Sequence, residues 1–126
     1  MNINAGIDKP IFIQIKDGIE DAVLQGIYKE GEQIPSITEL ALRYQINPAT
    51  ALKGINILVE NNIVYKKRGI GMFVCDGAVE RLLEDRRNAF YDKYITSLVS
   101  EAKRLGLSSD SIKEMIERGF NNEHRN

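Results

Sequence analysis

The 126-residue sequence predicts a mainly α-helical fold with a small β-hairpin, followed by a two-helix C-terminal appendage. Three features carry that prediction. Ile34 to Cys75 reads as helix, short turn, helix, then a hairpin with a basic, glycine-containing tip. The segment before it carries an apolar stripe at four-residue spacing. After Gly77 apolar positions recur at three- and four-residue intervals as far as Leu105. The expected division is a compact head over residues 1–76 and a helical region over 77–126.

In chain order, residues 1–9 read as a loose arm. Lys9 to about Gln25 is an amphipathic helix with Ile11, Ile15, Ile19 and Val23 on one stripe, and Gly26 is its natural stop. Ile27 to Gln33 is a short extended piece with a turn at Glu30-Gly31, and Ile34 can add a small strand beside the hairpin.

The central stretch carries the clearest local signals. Ser36 followed by Glu39 has capping-box spacing, and Pro35 discourages an earlier helix start. Ile37, Leu40 and Ala41 give that helix its buried face, and it ends near Gln45. Asn47 is a favoured N-cap and Pro48 fits the first helical position, so only Tyr44–Ile46 separates the two helices. The second helix, to about Asn61, puts Ala51, Ile55, Leu58 and Val59 on its apolar stripe with Leu52 at the edge. Ala49, Thr50, Lys53 and Asn56 fall mostly on the other side, small, polar or cationic. Ile63 to Lys67 then has a strand period, Arg68-Gly69-Ile70-Gly71 turns, and Met72 to Cys75 returns. This is the grammar of a winged helix-turn-helix that binds double-stranded DNA.

Charge supports the same reading. The net charge is −1, yet it is unevenly spread. Residues 1–42 hold three Lys/Arg against seven acids, a balance of −4. Residues 43–74 hold five against Glu60 alone, a balance of +4. Residues 75–126 hold nine against ten. The positive excess lies on the stretch expected to meet phosphates.

At this point the sequence resembles the GntR family of bacterial transcription regulators. The residues that carry the likeness are Pro10 to Ile15, Gly26, Gly31, Ile34-Pro35-Ser36, Glu39-Leu40-Ala41, Asn47-Pro48-Ala49-Thr50, Leu58, Glu60, Ile63 and Gly69 to Val74. Carried over by motif position, the resemblance implies DNA contacts from Ser36 and Thr38 on the first motif helix. On the second it implies Asn47, Ala49, Thr50 and Lys53, and on the wing Lys67, Arg68 and Gly69. Ser36, Asn47 and Thr50 suit phosphate hydrogen bonds with helix N-terminal amides assisting, and Lys53 suits a guanine edge or a phosphate. Arg68 beside Gly69 suits a narrow minor groove. Many members carry arginine where this chain has Thr38, Pro48 and Leu52, so its sequence preference is expected to differ, and Ile70 and Met72 replace more polar wing residues. Gly54 within the helix costs about 1 kcal/mol against alanine and implies close packing or local flexibility.

The C-terminal part resembles the short-tailed, YtrA-like branch of the family, from Arg86-Arg87 through Ala102 to Ser108 and on to Phe120. Periodicity expects one helix from about Gly77 to Leu105, ended by Gly106, then a short helix capped by Ser108 with Asp110 in its first turn, and fraying from Asn121 to Asn126. Two such helices cannot bury their stripes alone, so a homodimer is expected ahead of a monomer whose helices fold back onto the core. Its interface would take Leu82, Phe90, Tyr94, Ile95, Leu98, Val99, Ala102, Leu105, Ile112, Met115 and Ile116. The branch resemblance adds that these helices pair two chains without an obvious effector pocket, and that such members commonly repress operons for ABC transporters.

Other classes find little support. The one histidine, His124, sits in the tail and Cys75 ends a strand, so no nucleophile–base pair is formed. No metal-ligand cluster or phosphate-cradling loop appears, and neither cofactor nor metal is expected. Nothing resembles a secretory signal or a run of about 20 apolar residues, so the expected location is cytoplasmic, with no membrane partner. Two alternatives stay open: a winged-helix module that docks a protein, and a regulator responsive to a small ligand.

Overall fold

The structure, a computed structural model, describes residues 1–123; His124 lies outside them. Its elements are α1 (Ile11–Leu24), α2 (Ile37–Tyr44), α3 (Pro48–Glu60), β1 (Val64–Lys67), β2 (Gly71–Val74), α4 (Ala78–Phe90), a π-helical turn (Tyr91–Ile95), α5 (Thr96–Leu105) and α6 (Ser109–Glu123). The mainly helical class with a two-stranded wing is as the sequence predicts. The chain forms two compact units, Met1–Asp85 and Arg86 onward.

In the first unit, Ile15, Ile19 and Val23 of α1 meet Leu40 of α2, Ala51, Ile55 and Leu58 of α3, and Val64 and Val74 of the hairpin in one core. The α1 stripe is buried because four-residue spacing keeps it on one face. Ala78 and Leu82 of α4 enter this core as well. The unit runs to Asp85. Leu82 is 2% exposed there, so it has no surface left for a second chain.

The N-terminal arm is tied down instead of loose. The Gln14 side-chain amide donates to the carbonyls of Asn4 and Lys9, both at 2.8 Å, while its oxygen accepts from the Asn4 amide at 2.7 Å. Lys9 reaches Asp17 at 2.9 Å, and the Met1 side chain lies over Gly18, where a Cβ would collide with it. Gln14 is buried, so satisfying its amide twice over is what makes that burial tolerable. Between arm and α1 an open cleft of about 390 Å³ remains, bordered by Asp17, Asp21, Tyr28 and Arg43.

The hairpin is antiparallel, with Val64 opposite Val74, Tyr65 opposite Phe73, Lys66 opposite Met72 and Lys67 opposite Gly71. The extension foreseen at Ile34 centres one residue earlier. Gln33 bridges to Phe73, and the Ile34 amide donates to Met72 O at 2.9 Å.

Within the second unit the long helix expected to Leu105 is interrupted. The Thr96 amide bonds Tyr91 O, five residues back, and the Thr96 hydroxyl reaches the same oxygen at 3.4 Å. One added residue rephases the following side chains by roughly a quarter turn. Gly106, at φ +71°, closes α5, and Ser108 caps α6 through the Ser111 amide at 3.1 Å, both as expected. Helix α6 continues to Glu123, past the fraying expected from Asn121.

Candidate nucleic-acid interface

The interface is built on two helix starts and a hairpin tip. At α2 the Ser36 hydroxyl accepts from the Glu39 amide at 3.0 Å, and the Glu39 carboxylate accepts from the Ser36 amide at 3.2 Å. The capping box read from sequence is present on both sides. It uses the amides of Ser36 and Glu39, so an anion at this helix end would have to use the Ile37 and Thr38 amides and the Ser36 hydroxyl proton. Thr38 is exposed. The helix ends at Gln45 in the left-handed conformation, φ 53°, which turns the chain into α3 within two residues.

At α3 the Asn47 side-chain oxygen accepts from the Ala49 amide at 2.9 Å. The Thr50 and Ala51 amides both bond Asn47 O, at 2.9 and 3.2 Å, and Pro48 has no amide hydrogen. The Ala49, Thr50 and Ala51 amides of this helix start are therefore used within the chain, which leaves side-chain donors such as Asn47 Nδ2–H to meet an anion there.

Along α3 the buried residues are Ala51, Gly54, Ile55 and Leu58. The opposite face presents Ala49, Leu52, Lys53 and Asn56 to solvent, and Thr50 is half-buried beside it. Lys53 holds its amine 4.1 Å from the centroid of the Phe12 ring on α1. Gly54 lets the two helices meet, since a Cβ there would stand 2.6 Å from Phe12 O and 3.2 Å from Ile15. Of the two roles the sequence left open for this glycine, the structure gives close packing.

The wing tip is a tight turn in which the Ile70 amide donates to Lys67 O at 2.9 Å and Gly69 takes φ +78°. A positive φ at the third turn position favours glycine, so Gly69 sets the loop shape and leaves Arg68 exposed at its apex. Tyr65 and Phe73 stack on one face with centroids 5.7 Å apart, and the Lys67 amine lies 4.9 Å from the Phe73 ring on that same face. Lys66 shares the other face with buried Met72, which separates two lysines that the sequence only alternates. The Gln33 side-chain amide braces the turn by donating to Ile70 O at 3.2 Å, in a space kept open because Gly71 has no Cβ.

Sequence reasoning missed three supports of this surface. Glu30 accepts from the amides of Gly77 at 2.8 Å and Val79 at 3.1 Å, capping α4 from 47 residues away. Those two backbone bonds hold its carboxyl below the ordinary range, with Arg81 adding a smaller pull. Arg81 donates to Asn62 O at 2.7 Å and Asp76 O at 3.1 Å, joining the exit of α3 to the end of the wing. Asn62, at φ 60°, makes that exit possible. The Lys29-Glu30-Gly31 run gives no pattern that could have announced either contact. Burial pushes the Cys75 thiol up.

In the second unit Phe90, Tyr94, Val99, Leu105, Met115 and Ile116 are exposed, Leu105 by 63%. Ile95, Leu98 and Ile112 are half-buried, and Ala102 is buried. Phe90 and Tyr94 touch, with ring centroids 5.2 Å apart. Among the described residues no helix is long and apolar enough to cross a membrane.

Helix, corner, outward second helix and basic two-stranded wing define the winged helix-turn-helix class, a scaffold for binding DNA. The chain belongs to the bacterial regulatory proteins of the gntR family, whose pattern matches residues 13–74. The HTH-type transcriptional repressor YtrA of Bacillus subtilis is 29% identical over 107 residues, 85% of this chain and 82% of that one. A putative GntR-family regulator from Bacteroides thetaiotaomicron superposes with a TM-score of 0.74 at 32% identity, over 90% of this chain and 98% of its own. The AraR DNA-binding domain in complex with operator ORX1 superposes with a TM-score of 0.54 at 26% identity, over 59% of this chain and 93% of that domain. The protein is thus a DNA-binding transcriptional regulator and not an enzyme.

Proposed function

We propose that the chain acts in the cytoplasm as a homodimeric repressor that binds an inverted-repeat operator. The resemblance of the C-terminal part to the YtrA-like branch makes an ABC-transporter operon its first candidate target. The exposed basic wing beside the outward face of α3 is the observation that carries this reading. In this reading Lys67, Arg68 and Gly69 meet the backbone and minor groove of each half-site, Ser36, Thr38, Asn47 and Thr50 hold phosphates, Ala49 faces the major groove, and Lys53 moves from Phe12 to a phosphate at its flank. Leaving Lys53 over Phe12 costs about 0.5–1 kcal/mol, small against one charge-assisted bond to DNA.

Pairing is supported by the second unit. Phe90, Tyr91, Tyr94, Leu105 and Phe120 are each more than half exposed. So many exposed large apolar side chains on a small unit favour burial against a second copy. Two reading heads also supply the specificity that one short helix lacks.

Selection of binding sites from a randomised duplex pool, together with light scattering of the free protein, tests both halves. An enriched inverted repeat and a dimer mass are expected. Enrichment without two-fold symmetry removes the dimer geometry. Absence of enrichment even at low salt removes DNA binding in favour of a protein-docking surface.

A further inference from the structure

We infer that the outward face of α3 selects A·T pairs, with Leu52 packing on thymine methyl groups and Asn56 bonding adenine. This rests on the proposed operator binding and names the chemistry of its base reading. Leu52 is 45% exposed at the side of α3 turned away from the core, where water gives a leucine no favourable partner. Ala49, three residues earlier, and Asn56, four residues later, are exposed on the same side, so the three form one stripe. From Ala49 to Asn56 the helix rises about 10 Å, on the order of three base-pair steps.

The stripe's chemistry excludes the usual guanine reader. No arginine lies on α3, and its single lysine, Lys53, turns its amine onto Phe12 at the flank. The helix start offers no free amide to an acceptor edge, because Ala49, Thr50 and Ala51 all donate within the chain. Positive charge sits instead on the wing, at Lys66, Lys67 and Arg68. What remains facing outward is a small apolar side chain, a large one and a carboxamide. In the major groove the thymine methyl is the apolar feature, and an asparagine amide matches adenine N6 and N7 with two bonds. Guanine and cytosine present neither match to Ala49 and Leu52. Backbone affinity from the wing leaves α3 free to discriminate by these contacts alone.

The test uses the full-length protein and the duplex enriched by site selection, with each thymine of one half-site replaced in turn by deoxyuridine, which deletes only the methyl. Wild-type protein is expected to lose about fourfold in affinity at one or two positions, the value of one buried methyl-sized group. Leu52→Ala should bind the normal duplex about fourfold more weakly and show no further loss at those positions. Asn56→Ala should lose about tenfold on the selected site and accept G·C at the neighbouring pair. Both side chains are exposed, so unchanged thermal unfolding is the control that each variant folds. Equal deoxyuridine losses in wild type and Leu52→Ala overturn the inference, as does enrichment of G·C pairs beneath α3. Those results leave operator binding standing. Failure of every duplex to bind at low salt removes operator binding itself, and the inference with it.

Discussion

Gly54→Ala tests the packing that sets the recognition helix. In a free helix this change stabilises by about 1 kcal/mol, since glycine has more backbone freedom to lose. Here the new methyl would stand 2.6 Å from Phe12 O and 3.2 Å from two atoms of Ile15. An ordinary carbon–oxygen contact is close to 3.4 Å or more, so α3 and α1 must part by several tenths of an ångström. The nearest atom is backbone, which cannot swing aside as a side-chain end does. Overpacking of this kind costs about 1–3 kcal/mol. Set against the helical gain, Gly54→Ala should destabilise by up to about 2 kcal/mol, lowering Tm by up to about 15 °C for a domain of this size. Gly119→Ala is the matched control, because that glycine also lies in a helix, α6, and has nothing within 4 Å of where its Cβ would stand. It should be neutral or stabilise by up to about 1 kcal/mol. Thermal and urea unfolding followed by circular dichroism give both values. A stabilising Gly54→Ala would refute the tight α1–α3 crossing, and with it the account of how α3 is aimed.

Two further outcomes follow from the same contacts. Lys67→Ala should weaken binding uniformly across sequences and reduce the salt slope by about 1, read from affinity against log salt concentration; a change in base preference with an unchanged slope would contradict phosphate anchoring. Because the Gly77 and Val79 amides hold the Glu30 carboxyl below its ordinary value of 4.5, its contribution is fully present above that pH. It is lost as pH falls through the lowered value, and Glu30→Gln should flatten the acid side of the Tm–pH curve without altering the neutral-to-alkaline side. Parallel curves for the two proteins would show that the α4 cap does not depend on charge.

Much of the head was legible because its signals are local. The Ser36–Glu39 box, the Asn47-Pro48 start and the Gly69 turn each concern residues within four positions of one another, and each appears where expected. The supports that fell outside the reading link distant segments. Gln14 holds an arm ten residues away, Glu30 caps a helix begun 47 residues later, and Arg81 reaches back 19 residues to Asn62. Periodicity carries no information about such pairs, because a glutamine or glutamate on a surface position has many possible partners. The π-helical turn escaped for a related reason. Tyr91 to Ile95 has ordinary helical composition, and one extra residue per turn changes the phase of a stripe without ending it.

The residues of the candidate site were legible as one surface before its internal hydrogen bonds could be seen. Asn47 and Thr50 suggested that the start of α3 would bind phosphate, yet the cap and the two bonds to Asn47 O consume its amides. A helix start that is satisfied internally has little left to attract an anion, whatever its dipole. Electrostatic attraction must then come chiefly from the wing, where Lys66, Lys67 and Arg68 carry most of the positive excess of residues 43–74. Discrimination is left to the nearly uncharged outer stripe of α3. The separation has a physical consequence: salt should act on wing contacts while base substitutions act on α3 contacts. A double-mutant cycle between Arg68 and Leu52 should accordingly show additive losses within about 0.5 kcal/mol. A larger coupling would mean that the two elements engage DNA as one unit, and that wing docking sets the depth at which α3 enters the groove.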